Sequence, residues 1–428
     1  MLDRREAWLA ATFAGGLHAV VAAVAVLRSI EGSSEWYDQR DYHLPVIERF
    51  AAELPAPVLS DYQSATTPLY HLFMAMLVRL GLDGMALHAV NLAFGVALVA
   101  VFAAFIARKA GLFAGAAAGA ALGMSPYVLS SSVWLTTDNA ATLMLVLAFV
   151  ASAGIACGCV RMPVRSGVLA AGWALLAAAV RQIMLYTAAF PAAAVVARAC
   201  AERRRPAWRE LLVASLALLP AAVLVGSFVA LWGGLVPPSF RAYHGGGANA
   251  ATPVYVLALV GVWGGLACAS IPGFFARFWM ARTWLAGALA LAAALLVPSN
   301  YVVHVRFGGV LWTLASRLPA PFERSVVLVP LAAIGAMVLV AYLRLWTESR
   351  DRAARGVGAF ALLALLGMTL AQTANQQCFE RYMQPLVVVF CTVAAAALAG
   401  RSMRAWPLAL AACAAFGLSL FNVFRAGG

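Results

Sequence analysis

Residues 36–71 read WYDQRDYHLPVIERFAAELPAPVLSDYQSATTPLYH, the first long polar interval in a chain that is otherwise mostly apolar. Residues 31–61 carry Glu31, Glu35, Asp38, Asp41, Glu48, Glu53 and Asp61, seven of the chain's 17 acidic groups. Pro45 suits the first turn of a helix, where its missing N–H costs nothing. Val46, Ile47, Phe50 and Leu54 then recur at helical spacing on one face, with Glu48, Arg49 and Glu53 on the other. That pattern predicts a helix lying on a membrane surface, stopped by Pro55 and Pro57. Asp38 and Asp41 stand just before it, at its expected electropositive end. Thr66-Thr67-Pro68 predicts a second start, a Thr cap followed by Pro.

The surroundings decide what such a loop belongs to. The 428 residues are 64% hydrophobic and 11% charged, with mean hydropathy +0.88. A soluble domain carries roughly 25% charged residues, and a membrane-crossing helix needs about 20 apolar ones. The chain therefore reads as an all-α polytopic membrane protein. Alternating ten-residue strands are not visible, which argues against a β-barrel. The net charge of +13 comes from 29 Arg and Lys109, which flank apolar runs instead of forming one patch. The positive-inside rule accounts for most of it, and no nucleic-acid partner is implied. The seven cysteines lie mostly in apolar runs and read as small core residues.

Working outward, Arg4 and Arg5 place the N-terminus in the cytoplasm, and residues 8–28 read as a retained first span, not a signal peptide. Residues 29–84 are then the first outer loop. Further spans are expected near 85–107, 110–126, 139–160, 167–180, 183–199, 211–232, 254–273, 284–298, 325–345, 357–372, 383–399 and 406–424, about thirteen in all. Arg108-Lys109, Arg161, Arg203-Arg204-Arg205, Arg277, Arg352 and Arg401 then fall inside, and the conspicuous acids, histidines and prolines outside. Counting residues 67–80 as a span would invert every later loop, so that stretch reads as an interfacial helix. No repeat or soluble domain is visible, and residues 1–428 read as one transmembrane domain.

A general base needs a carboxylate that can reach an incoming hydroxyl. A leaving phosphate needs cations, for which a bidentate Arg is best suited. Candidate cations on the outer side are Arg181, Arg306, Arg317, Arg324 and Arg381, with His304 beside Arg306. A lone Arg at a span end is usually an anchor. Arg181 interrupts an apolar run, where charge is expensive, and a function is the default reading there. Asp138 reads equally as a helix cap or a site residue.

One span followed by an acidic outer loop with paired surface helices and a D-x-x-x-Y element, here Asp38 to Tyr42, resembles the GT-C superfamily of membrane glycosyltransferases. The closer resemblance is to the dolichyl-phosphate-glucose α-1,2-glucosyltransferase family. It rests on Tyr42-His43-Leu44-Pro45, Thr66-Thr67-Pro68-Leu69-Tyr70, Val180-Arg181-Gln182, Glu380-Arg381-Tyr382 with Pro385, and the Gly233-Gly234-Leu235-Val236 loop with His244. The adjacent Asp-Glu of that family is replaced here by Asp38 and Asp41 bracketing Gln39-Arg40.

The resemblance implies inverting transfer of a hexose, glucose first, from a polyprenyl-phosphate sugar to a hydroxyl of a glycan or glycolipid at the outer face. Ala- and Arg-rich composition with one Lys suits a high-GC bacterium, hence an inner (plasma) membrane protein of cell-envelope glycan biosynthesis. Asp38 is the first choice for the base and Asp41 the second. Arg381, Arg181 and Tyr382 are expected to hold the donor phosphate, and His43, Asp61, His71, Gln182 and His244 the acceptor or sugar hydroxyls. Paired acids could hold a divalent metal, but no ligand set demands a cofactor. The alternatives are another sugar (mannosyl, arabinosyl, aminoarabinosyl), a transporter or lipid flippase, and a non-catalytic assembly protein. A transporter should show inverted repeats and charges deep in its spans.

Overall fold

The computed structural model describes residues 2–28, 34–159, 163–242, 244, 247–297 and 309–426. Glu31, Arg161, His304 and Arg306 lie outside the described residues. Those described form α, 3₁₀ and π helices and no strand. Hydrocarbon offers no partner for backbone N–H and C=O, so a spanning segment must satisfy them internally.

Nine described helices are long and apolar enough to cross a membrane. A tenth crossing would be the pair Leu112–Gly123 and Pro126–Val133, bent by 65°. Val164–Val180, Ala281–Leu295 and Trp406–Phe421 are apolar but shorter and stand where three more spans are expected. The chain is an integral membrane protein. Glu380–Ser402 is its most enclosed long helix, 83% buried over its apolar window, and Trp208–Trp232 its most peripheral at 11%. Trp8, Phe13, Val20 and Leu27 project from the first helix as exposed apolar side chains, as a lipid-facing surface requires.

Polar ties between loops sort by side. Arg401 bonds Glu6 at 2.7 Å and Arg277 bonds Glu348 at 2.8 Å, all four residues on the side expected to be cytoplasmic. On the other side Asn249 N–H donates to the Thr373 carbonyl at 2.8 Å, and Ser239 N–H to the Asp61 carboxylate at 2.9 Å.

The first loop differs in detail from its sequence reading. Leu44–Glu53 is a helix with Pro in its first turn, and Val46, Ile47 and Phe50 are buried. It does not begin there: Ser34–Asp38 runs into it through a π turn, Gln39–His43. Asp38 and Asp41 therefore sit within a continuous helical run and not at an exposed helix start, so the dipole argument does not apply to them. Leu69–Arg79 is the second helix, but Thr67 makes no cap. Its hydroxyl donates instead to the Ala178 carbonyl at 2.7 Å, fastening the loop to a span.

Small residues let helices approach backbone to backbone. A Cβ on Gly335 would lie 1.9 Å from the Leu257 carbonyl oxygen, and one on Gly261 would lie 2.4 Å from that of Leu331. Gly335→Ala should lower stability by about 1–3 kcal/mol, the usual range for overpacking. Thermal unfolding in detergent measures it, with Gly172→Ala, which meets nothing within 4 Å, as the reference.

Candidate active site

The long Gln384–Ala399 helix is preceded by a 3₁₀ turn, Glu380–Tyr382. From that turn the Arg381 guanidinium reaches Asp38 of the first loop, Nη1 to Oδ2 at 2.5 Å, across 343 residues of sequence. Both side chains are largely shielded, 13% and 16% exposed. Arg381 Nη2 donates to the Tyr382 hydroxyl at 3.0 Å.

A second pair stands beside the first. The backbone opens to an extended conformation at Arg181, between the helices Pro163–Val180 and Gln182–Ala189, and turns its side chain inward to Asp138. Asp138 is the first residue of its helix, after Thr137 at the cap position. The Arg181 guanidinium lies 4.2 Å from the centre of the Tyr382 ring and that of Arg381 5.0 Å. One tyrosine thus sits between two arginines, each with an aspartate. Isolated charge would be expensive at such depth, and pairing offsets that cost.

The other expected residues divide into those the fold brings to this cluster and those it uses elsewhere. His43 leaves the π turn inward and its Nδ1 lies 2.9 Å from His71 Nε2. Burial, with Arg181 and Arg381 nearby, lowers the His43 pKa to about 3, and burial, with His43 beside it, takes His71 well below its ordinary value. Both rings are neutral at neutral pH. Asp41 points outward, held at 2.6 Å and 2.9 Å by Arg40, whose guanidinium keeps its carboxyl below the ordinary value. Asp38 and Asp41 thus have different partners, Arg381 and Arg40. Among the described residues no group of three His, Cys, Asp or Glu side chains is placed to hold a metal ion.

Gln182 is engaged by backbone. It accepts from Thr67 N–H at 3.1 Å and donates to the Ala65 and Leu235 carbonyls at 2.6 Å and 2.9 Å. Asp61 caps Ser239 N–H, which holds its carboxyl below the ordinary value. Through these bonds Gln182 and Asp61 join the first loop to the 233–241 loop. His244 stacks on Phe240 at 5.3 Å and faces Phe379 at 6.4 Å.

Sequence reasoning gave no role to Glu35, Gln39, Tyr127 or Ser130. Glu35 is buried and accepts from Ser130 Oγ at 2.8 Å, and Gln39 Oε1 accepts from Leu135 N–H at 2.6 Å. Both bonds dock the first loop onto the buried Pro126–Val133 half-helix and its exit. Serines in an apolar run carry no signal of that contact; the break at Ser125-Pro126 is the one sequence hint.

No family model and no curated protein matches the chain. Among solved structures it is similar to the crystal structures of ArnT from Cupriavidus metallidurans in the apo state and bound to undecaprenyl phosphate. Identity is 16% in each case, TM-scores are 0.36 and 0.35, and the alignments cover 94% of this chain and 77% of the other. A likeness this distant assigns no activity.

Proposed function

We propose that this chain is an inverting GT-C-type glycosyltransferase that moves a sugar from a polyprenyl phosphate to an acceptor hydroxyl at the outer face. The observation that carries the reading is the meeting of Asp38 with Arg381, a carboxylate and a guanidinium placed together by distant segments, beside a second such pair. Enclosed Asp–Arg pairs at a span end offer both halves of the chemistry: cations for a phosphate and a carboxylate for a proton.

In this mechanism the donor phosphate takes hydrogen bonds from Arg381 and Arg181, with Tyr382 between them. Asp38, relieved of Arg381, accepts the proton of the acceptor hydroxyl. The acceptor oxygen attacks the anomeric carbon, the carbon–oxygen bond to phosphate breaks, and the phosphate leaves with the bonding pair. Attack opposite the leaving group inverts configuration. Charge develops on the phosphate oxygens, where preset donors act most strongly. Asp38 is preferred to Asp41 because it alone faces the arginines. About thirteen spans, a cytoplasmic N-terminus and a bacterial inner membrane belong to the same reading.

The test is incubation of the purified full chain in lipid with radiolabelled glucosyl, mannosyl, arabinosyl and aminoarabinosyl polyprenyl phosphates. Release of free prenyl phosphate from one of them, with label transferred or hydrolysed, is expected, glucosyl first. Inertness of every donor under conditions where the protein is folded sinks the reading.

A further inference from the structure

Glu380 is a buried carboxylate that the mechanism above does not use. Among the described residues it makes no ion pair. Its Oε2 instead accepts from the Tyr255 hydroxyl at 2.6 Å and from Leu311 N–H at 2.9 Å. The Tyr127 hydroxyl and Trp312 N–H also hydrogen-bond to the carboxylate. These donors come from three separate elements: the Thr252–Leu259 helix, the Val310–Ser316 helix and the Pro126–Val133 half-helix. Tyr127 in turn accepts from Val310 N–H at 2.8 Å.

The backbone is shaped around this carboxylate. Gly309 has φ +123°, and a Cβ there would fall 2.3 Å from Glu380 Cβ, 2.5 Å from its Oε2 and 2.8 Å from the Tyr127 hydroxyl. A buried carboxylate without a cation is costly unless donors surround it. Here they do, and the effect is to lock the turn whose next residue is Arg381. Arg381 Nε is buried without a partner; its bonds go to Asp38 and Tyr382, and its guanidinium lies 5.5 Å and 5.0 Å from the ring centres of Phe379 and Tyr382, its neighbours in the same turn. The bond to Asp38 must break when a phosphate arrives. What then aims the guanidinium is the turn itself, through its backbone and the side chains of Phe379 and Tyr382.

We propose that Glu380 is the positioning residue for Arg381: its anchorage by Tyr255, Tyr127 and the 311–312 backbone holds the guanidinium toward the donor phosphate once Asp38 lets go. The inference rests on the glycosyltransferase reading and assigns Glu380 no contact with substrate.

A double-mutant cycle in the full-length protein, with undecaprenyl phosphate as the probe, tests it. Glu380→Ala should weaken binding about 10–100-fold, the range typical of groups that orient a ligand-binding residue. Added to Arg381→Ala it should cost nothing further, because residues that act as one unit are not additive. Glu380→Gln keeps an oxygen for Tyr255 and Leu311 and should recover most of the binding. Tyr255→Phe, a mild change should Glu380→Ala fold poorly, should weaken binding several-fold and also show no added loss on Arg381→Ala. Additive losses, or wild-type binding by folded Glu380→Ala or Tyr255→Phe, would overturn the proposal while leaving the donor-site reading intact. Unchanged binding by Arg381→Ala would bring down both.

Discussion

Asp38→Asn is expected to reduce turnover by about 10²–10⁴-fold, the usual contribution of a general base, while donor phosphate binds as well as before or better. The two halves of that result come from one contact. Asp38 is the partner of Arg381 in this structure, at 2.5 Å. A phosphate must compete with that carboxylate for the guanidinium. Asn is neutral and competes less, so binding does not fall, yet it cannot accept the proton. A purely structural salt bridge predicts otherwise: loss of fold stability, and binding and turnover falling together. Single-turnover kinetics with undecaprenyl phosphate binding measured in parallel separate the cases. Normal turnover by Asp38→Asn would remove it from the mechanism.

Arg381→Ala should act in the opposite sense on binding. Hydrogen bonds to charged groups are worth about 1.5–3 kcal/mol, so affinity for undecaprenyl phosphate should drop about 10–150-fold. Turnover should fall further, since a donor aimed at developing charge contributes about 10²–10³ in kcat. The substitution also leaves Asp38 enclosed without a cation, which costs stability. Arg381→Lys restores the charge but not the planar fork, and should recover only part of the loss. If prenyl phosphate binds Arg381→Ala as tightly as the native protein, Arg381 is a membrane anchor and the phosphate site lies elsewhere. The pair of variants is more telling than either alone: the same ion pair, cut from its two ends, should move phosphate affinity in different directions.

The helices were legible because the bilayer imposes a length and a composition on them. The surface helix at Leu44–Glu53 was legible because Pro45 and the spacing of Val46, Ile47 and Phe50 are local signals. The π turn before it was not, since no residue pattern marks the one extra residue it holds. That turn decides which aspartate looks inward. At the site, the sequence drew attention to Asp38, Arg181 and Arg381 as charges in awkward places, but pairing is a matter of distance between segments. Asp138 shows the limit: at the start of a span a cap and an ion partner look alike, and only the approach of Arg181 distinguishes them. Glu380 shows another. In the sequence it has no role beyond its place in Glu380-Arg381-Tyr382, whereas its donors lie up to 253 residues away, at Tyr127. Gln182 and Asp61 were noticed for their polarity, but their partners are backbone groups of other loops, which no side-chain pattern announces.

The span of 343 residues between Asp38 and Arg381 also has a meaning in time. Chains are made at about 5–20 residues per second, so roughly 20–70 s separate the synthesis of the acid from that of its cation. Through that interval Asp38 is without the partner it has in the finished fold. The segment at 126–135 that docks the neighbouring Glu35 and Gln39 is made early, whereas the guanidinium that offsets the charge comes last. A chain that stops short of residue 381 carries Asp38 without the guanidinium that faces it here.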